Sequence, residues 1–83
     1  MLHQLIALFT GKSVRITTYT REGKKPVEGV CETVCATPGD AEHFDIILKG
    51  GGRFGFVPEK ITDTLAEGAL EAGTVGRRVI QLI

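Results

Sequence analysis

The stretch GKSVRITTYTREGKKPVEGV, residues 11–30, decides how this chain folds. After its first glycine, β-branched and polar residues alternate from Ser13 to Thr20, which is typical of a half-buried β-strand. The charged segment REGKK then indicates a turn, and a second β-branched segment starts after Pro26. The stretch therefore predicts two β-strands joined by a turn in a mainly β domain.

The triplet GKS at residues 11–13 also occurs in the phosphate-binding loops of nucleotide enzymes. Such a loop has another glycine five positions before its Gly-Lys pair and leads into a helix, because its backbone N–H groups must wrap the phosphates. This chain has Ile6 at that position and a strand-like segment afterwards. We therefore interpret Gly11 as the end of a helix and not as part of a nucleotide site.

A short helix is expected before the first strand. Four apolar residues recur there at the spacing of one helix face. They are Leu2, Leu5, Ile6 and Phe9. The pattern predicts a helix over residues 1–10, and a helix this short must pack on the sheet because it is not stable alone in water.

The bounds of the second, third and fourth strands are predicted from alternation and turn residues. The second strand is predicted at residues 27–36, with a bend at Gly29. A third strand at residues 43–49 and a fourth at residues 53–57 are joined by a tight hairpin at the glycines of residues 50–52. These strands suit a small bent barrel.

The C-terminal third gives weaker patterns. Pro58 is predicted to end the fourth strand, residues 58–61 to form one helical turn, and residues 61–65 to begin a fifth strand. Residues 65–73 fit either a loop or a fraying helix, and residues 74–83 alternate well enough to form a terminal strand.

We therefore expect one mainly β domain over residues 1–83, a small and strongly bent five-stranded barrel with a short N-terminal α-helix. Its barrel strands lie within residues 13–64, and residues 65–83 form a C-terminal segment that ends in a strand. That last strand has apolar residues on both faces, so it is an exposed edge unless another strand pairs with it. The simplest partner is a second copy, which predicts a closed homo-oligomeric ring.

Charge and hydropathy exclude several classes of protein. Ten basic and ten acidic residues cancel, so no overall field attracts nucleic acid or anionic lipid, and any anion site must be local. There is no apolar run long enough to span a membrane and no pattern of a signal peptide. The sequence predicts a cytoplasmic protein with no membrane partner.

The cysteines and histidines do not form a convincing metal or catalytic motif. Cys31 and Cys35 lie about 13 Å apart along an extended strand, too far for a disulfide with each other. With His3 and His43 they lack the close Cys-x-x-Cys spacing of structural zinc sites. No motif brings a nucleophile, a base and an acid together. We predict two buried free thiols, no metal, no cofactor and no enzymatic activity.

The order of these elements resembles that of the Sm and Sm-like (LSm) proteins. The residues that carry the resemblance are LIALFTGKSVRITTYTREGKKPVEGV, residues 5–30, and HFDIILKG, residues 43–50. The segment VGRRVIQLI, residues 75–83, is compared with the second motif of the family, with Gly76 and Arg77 in inverted order. The resemblance implies an SH3-like barrel of the Sm type, a ring and the binding of single-stranded RNA without catalysis.

The resemblance also implies site residues. His43 or Phe44 would stack on a base, and Asp45 would accept hydrogen bonds from a base edge. Arg77 or Arg78 would supply positive charge at the phosphates. Phe44 has the alternative of a core position on the third strand, and Asp45 and the arginines have the alternative of a solvated face or a salt bridge between subunits.

A second function stays open beside RNA binding. The zero net charge and the acidic Asp45 at the base-reading position both suit a protein-interaction or assembly scaffold built on an SH3-like barrel that does not bind nucleic acid. Binding to RNA at low salt separates the two hypotheses.

Overall fold

The computed structural model describes residues 1–71 and 73–83. In this part of the chain one helix precedes six antiparallel strands. They are α1 (Leu2–Phe9), β1 (Ser13–Thr20), β2 (Gly23–Thr37), β3 (Asp40–Leu48), β4 (Arg53–Ile61), β5 (Leu65–Ala69) and β6 (Arg77–Leu82). Consecutive strands pair with each other and β6 also pairs with β1, so that the sheet closes on itself. The mainly β class and the N-terminal helix are as predicted.

The first hairpin follows from its alternation of residues. β1 occupies the predicted span, and its Val14 and Ile16 side chains are fully buried in the core. β2 is longer than predicted because its register with β1 continues back to Gly23. It pairs with β1 up to Val30 and with β3 from Cys31 onward, so one long strand serves two parts of the sheet.

The structure corrects the prediction for residues 58–69, whereas residue 72 of the predicted loop or helix lies outside the described residues. Pro58 does not end β4, which continues to Ile61, and no helical turn forms there. Proline is tolerated because the pairing of β4 with β5 is irregular between Pro58 and Lys60, where a missing N–H group does not break a ladder. Residues Leu65–Ala69, predicted as a loop or helix, form β5. The described sheet therefore has six strands and not five.

The structure also corrects the premise of the ring. β6 is not an exposed edge, because β1 pairs with one side of it and β5 with the other. Ile80 lies opposite Ile16 in β1 and opposite Ala66 in β5, and all three side chains are fully buried. The apolar residues of β6 are thus explained by partners within the chain. A ring gains no support from an unpaired terminal strand.

The helix covers one end of the closed sheet. Leu5 and Phe9 are fully buried, and the other two residues of the predicted stripe pack partly against the same core. Backbone bonds fix the end of the helix, because Gly11 N–H donates to the Cys31 carbonyl (2.8 Å) and Cys31 N–H donates to the Lys12 carbonyl (2.9 Å). In the described residues, no helix is long and apolar enough to cross a membrane.

Both cysteines are free thiols on β2. Cys31 is fully buried beside the helix, whereas Cys35 is partly buried. Burial raises the pKa of the Cys31 thiol, because the thiolate would lose its hydration there. Among residues 1–71 and 73–83, no three histidine, cysteine or acidic side chains meet in a way that could hold a metal ion.

Candidate functional site

Three of the five site residues predicted from the sequence line one surface cavity of about 360 Å³. They are His43, Asp45 and Arg78. His43 and Asp45 come from β3 and Arg78 from β6, strands that are not neighbours in the sheet. The rest of the lining is Arg53, Gly55, Leu70 and Glu71. The closed sheet therefore brings together residues that are far apart in the sequence.

The other two predicted residues lie elsewhere. Phe44 is only 7% exposed and faces Phe56 within the core, which is the alternative that the sequence left open for it. Such a side chain cannot stack on a base without leaving the core. Arg77 is exposed and pairs with Glu59 of the same chain at 3.0 Å. It thus lies on a solvated face, in a salt bridge within the chain.

Asp45 is buried and both of its carboxylate oxygens are engaged. It is 4% exposed, and its Oδ2 atom forms an ion pair with Arg53. Its Oδ1 atom accepts a hydrogen bond from the Thr37 hydroxyl at 3.0 Å. A buried carboxylate needs such partners because burial without them is costly. In this arrangement Asp45 holds Arg53 in place, and its burial keeps its oxygens away from a base.

His43 ties β3 to the segment that follows β5. Its Nε2 atom lies 3.0 Å from the Leu70 carbonyl, which can only accept, so Nε2 carries a proton and donates. Its Nδ1 atom lies 2.6 Å from the Thr37 hydroxyl, whose single proton is donated either to this nitrogen or to Asp45 Oδ1. Both ring nitrogens are therefore occupied by the protein. The imidazole positions the wall of the cavity and is not free to bind a ligand through nitrogen.

A glycine in β4 makes room for this network. Gly55 is the register partner of Asp45. A Cβ atom at Gly55 would overlap the His43 ring at Cε1 and lie 2.7 Å from Asp45 Oδ1. The absence of a side chain at this position is thus a steric requirement of the network.

Arg78 differs from the other cations of the site because no carboxylate neutralises it. Its Nε donates to the Thr18 hydroxyl (2.9 Å), and its Nη1 donates to the Gly55 carbonyl (2.7 Å). Its guanidinium lies 5.5 Å from the centre of the Phe54 ring. Among the described residues, no acidic group lies within ion-pair distance of it. Burial lowers the pKa of Arg78, but a guanidinium remains charged at neutral pH.

Sequence reasoning missed Arg53, although a signal for it was present. The tight hairpin of glycines fixes the register of β3 and β4, with Ile47 opposite Arg53 and Asp45 opposite Gly55. Arg53 is therefore the diagonal neighbour of Asp45, within reach of a long side chain. Thr37 was also missed, since its contact depends on the irregular register where β2 meets the start of β3.

The site is equipped for binding an anion. Its acceptor atoms are mostly engaged, whereas both arginines keep N–H groups for which the described residues provide no acceptor. No buried polar side-chain atom of the described residues lacks a partner, so these N–H groups are reached by solvent. No protein-family model, curated protein sequence or solved structure matches this chain. The function is therefore inferred from the chemistry of the cavity.

Proposed function

We propose that this chain is a non-catalytic binding protein with an SH3-like barrel of the Sm type, and that it binds single-stranded RNA at the cavity between Arg53 and Arg78. The observation that carries the proposal is the half-buried guanidinium of Arg78 without an acidic partner. Holding such a charge away from water costs free energy unless an anion completes it. RNA supplies a phosphate at every nucleotide.

The composition of the cavity supports this ligand. Arginine is well suited to phosphate, because its planar fork donates two parallel hydrogen bonds. Arg53 is held by the buried Asp45 carboxylate and keeps more than half of its side chain exposed at the cavity. Two guanidinium groups thus supply the N–H donors of the cavity, while the carboxylates of Asp45 and Glu71 on the same lining offset their charge.

A binding titration tests the proposal with a matched arginine as control. Fluorescently labelled oligo-U and oligo-A are titrated at low salt with the wild type, Arg78→Gln and Arg15→Gln. Arg15 is an exposed arginine paired with Glu28 at 2.8 Å, outside the cavity. We expect binding that weakens with added salt, a loss of about tenfold or more in Arg78→Gln, and little change in Arg15→Gln. If the wild type binds neither oligo-U nor oligo-A at low salt, the proposal is overturned.

A protein-interaction scaffold is the second candidate, and one surface favours it. A groove of about 460 Å³ lies between the turn after β1 and the segment before β6, beside the 74% exposed Val75 and lined also by Leu70 and Gly76. Exposed apolar surface of this kind is typical of interaction sites. Two results together would fit this function. The wild type would bind no oligonucleotide at low salt, and it would bind a protein partner without RNA that the Val75→Asp variant no longer binds.

Self-association stays part of the proposal, but it needs an edge other than β6. Residues 23–29 of β2 pair with β1 on one side and with no described strand on the other. Lysines and a proline on that segment disfavour open-ended pairing. Light scattering decides the matter, since a ring gives a multiple of 8.9 kDa and the closed sheet alone gives that mass.

A further inference from the structure

We propose that the cavity recognises the phosphate backbone of RNA and does not distinguish uracil, adenine and cytosine from one another. This inference rests on the proposed RNA binding and specifies what is recognised. It follows from which hydrogen-bonding atoms and which aromatic faces of the site are already occupied by the protein.

The groups that would read a base edge are engaged within the protein. Asp45 is paired with Arg53, His43 Nε2 donates to the Leu70 carbonyl, and the Thr37 hydroxyl lies between Asp45 Oδ1 and His43 Nδ1 with one proton for either of them. The Gly55 carbonyl accepts from Arg78. Discrimination among uracil, adenine and cytosine requires both donors and acceptors at fixed positions, because their edges differ in the order of these groups. The N–H groups of Arg53 and Arg78 remain free for a ligand. They suit an acceptor such as a phosphate oxygen.

The aromatic faces that would stack on a base are likewise unavailable at this site. Phe44 lies in the core, and Phe54 is partly buried against that core with the Arg78 guanidinium 5.5 Å from its ring centre. The His43 side chain is only 16% exposed. Stacking on an aromatic face is the main source of base contact in proteins that bind single strands. Without it, the contact is made to the backbone.

One acidic residue at the rim opposes the ligand and provides a further test. Glu71 lines the cavity and is exposed, and its side-chain carboxylate has no hydrogen-bond partner among the described residues. Its negative charge repels a phosphate, so removing the charge should strengthen binding. Glu71→Gln replaces an exposed side chain by one of nearly the same shape, so the fold should stay intact.

The experiment compares ligands of equal length on one protein. Labelled oligo-U, oligo-A and oligo-C are titrated beside an oligo-U with uncharged methylphosphonate linkages and an oligo-glutamate peptide. We expect the three RNAs to bind within about threefold of each other, because no base is read. The uncharged oligomer should not bind, Arg78→Gln should weaken all three RNAs about equally, and Glu71→Gln should tighten all three.

The outcomes separate this inference from the proposed function. A preference of about tenfold or more for one base, still dependent on Arg78, would overturn backbone recognition and leave RNA binding in place. Binding of the uncharged oligo-U would overturn backbone recognition in the same way. Equal binding of oligo-glutamate would make the cavity a general anion site and overturn the assignment to phosphate. Failure of all RNAs to bind would overturn the proposed function itself.

Discussion

The two ends of β1 are built in opposite ways. At its start, the helix end consists of Leu5, Phe9, Val14 and Cys31, all of them fully buried and joined by backbone bonds between the helix end and β2. At the other end of β1, the polar end consists of Arg78, which lines the cavity, and of Thr18 and Phe54, which contact Arg78.

The difference separates stability from function within one small sheet. Burial of apolar side chains at the helix end favours folding, and only the loss of chain entropy opposes it there. At the polar end, a guanidinium without an acidic partner is kept partly out of water, which costs free energy. A domain of this size has little stability to spare. The helix end therefore holds the domain together, and the polar end is the part whose cost the proposed ligand would offset.

The largest expected effect comes from the helix end. Phe9→Ala removes a fully buried ring, and we expect a loss of about 3–5 kcal/mol in the free energy of unfolding because a cavity remains. Urea denaturation followed by circular dichroism measures it, with Tyr19→Ala as control, because Tyr19 is 44% exposed. A loss below about 1 kcal/mol would show that the helix end does not carry the stability.

The next effect is steric and lies beside the polar end. Gly55→Ala places a methyl group against the His43 ring and Asp45, and we expect a loss of about 1–3 kcal/mol in the free energy of unfolding from overpacking. The double variant Gly55→Ala/His43→Ala removes the obstructing ring. It should be more stable than the sum of the two single changes indicates. Strict additivity in thermal and urea denaturation would contradict the steric explanation.

A smaller effect at the helix end depends on pH. Because burial raises the pKa of Cys31 above its value in the unfolded chain, the folded protein keeps the thiol proton where the unfolded chain has lost it. The free energy of unfolding should therefore be unaffected by this thiol at low pH and should fall as the pH rises through the alkaline range. Cys31→Ala should lose that slope, although it is less stable at every pH. Cys35→Ala serves as control, and an unchanged slope in Cys31→Ala would contradict the prediction.

The smallest effect on stability is expected at Arg78. Arg78→Met loses two hydrogen bonds but also removes the cost of the unpaired charge, and its apolar stem can still pack on Phe54. These opposing terms should leave the free energy of unfolding within about 1 kcal/mol of the wild type. Urea denaturation measures this, and RNA titration of the same variant should show the loss of binding. A large loss of stability would mean that Arg78 is structural and would remove the contrast between the two ends.

The regions that sequence reasoning located well are those with a strong period. β1 was predicted to the residue because its alternation is regular, and the helix stripe was found because Gly11 marks its end. β5 was missed because LAEGA has little β propensity. Its place is set by the neighbouring backbone, since a Cβ atom at Gly68 would overlap the Val57 carbonyl oxygen. Close backbone approach of this kind leaves no periodic signal in a sequence.

The site was accessible to sequence reasoning only in part. The resemblance to Sm-like proteins selected His43, Asp45 and Arg78, and all three line the cavity. It assigned Asp45 to base reading, which conflicts with its burial and its two partners. The lack of an acidic partner for Arg78 depends on β6 lying between β1 and β5. A long-range strand order of that kind is not encoded in any local motif.

β6 is the last strand of the chain, and it closes the sheet by pairing with both β1 and β5. Excision of residues 77–82 would strip hydrogen-bonding partners from two strands simultaneously. It would also expose the side chains of Ile16 and Ala66, so β1 and β5 would each have an unpaired apolar edge that can associate with other molecules. Proteolytic nicking inside this segment should therefore lead to precipitation and not to a trimmed soluble fragment.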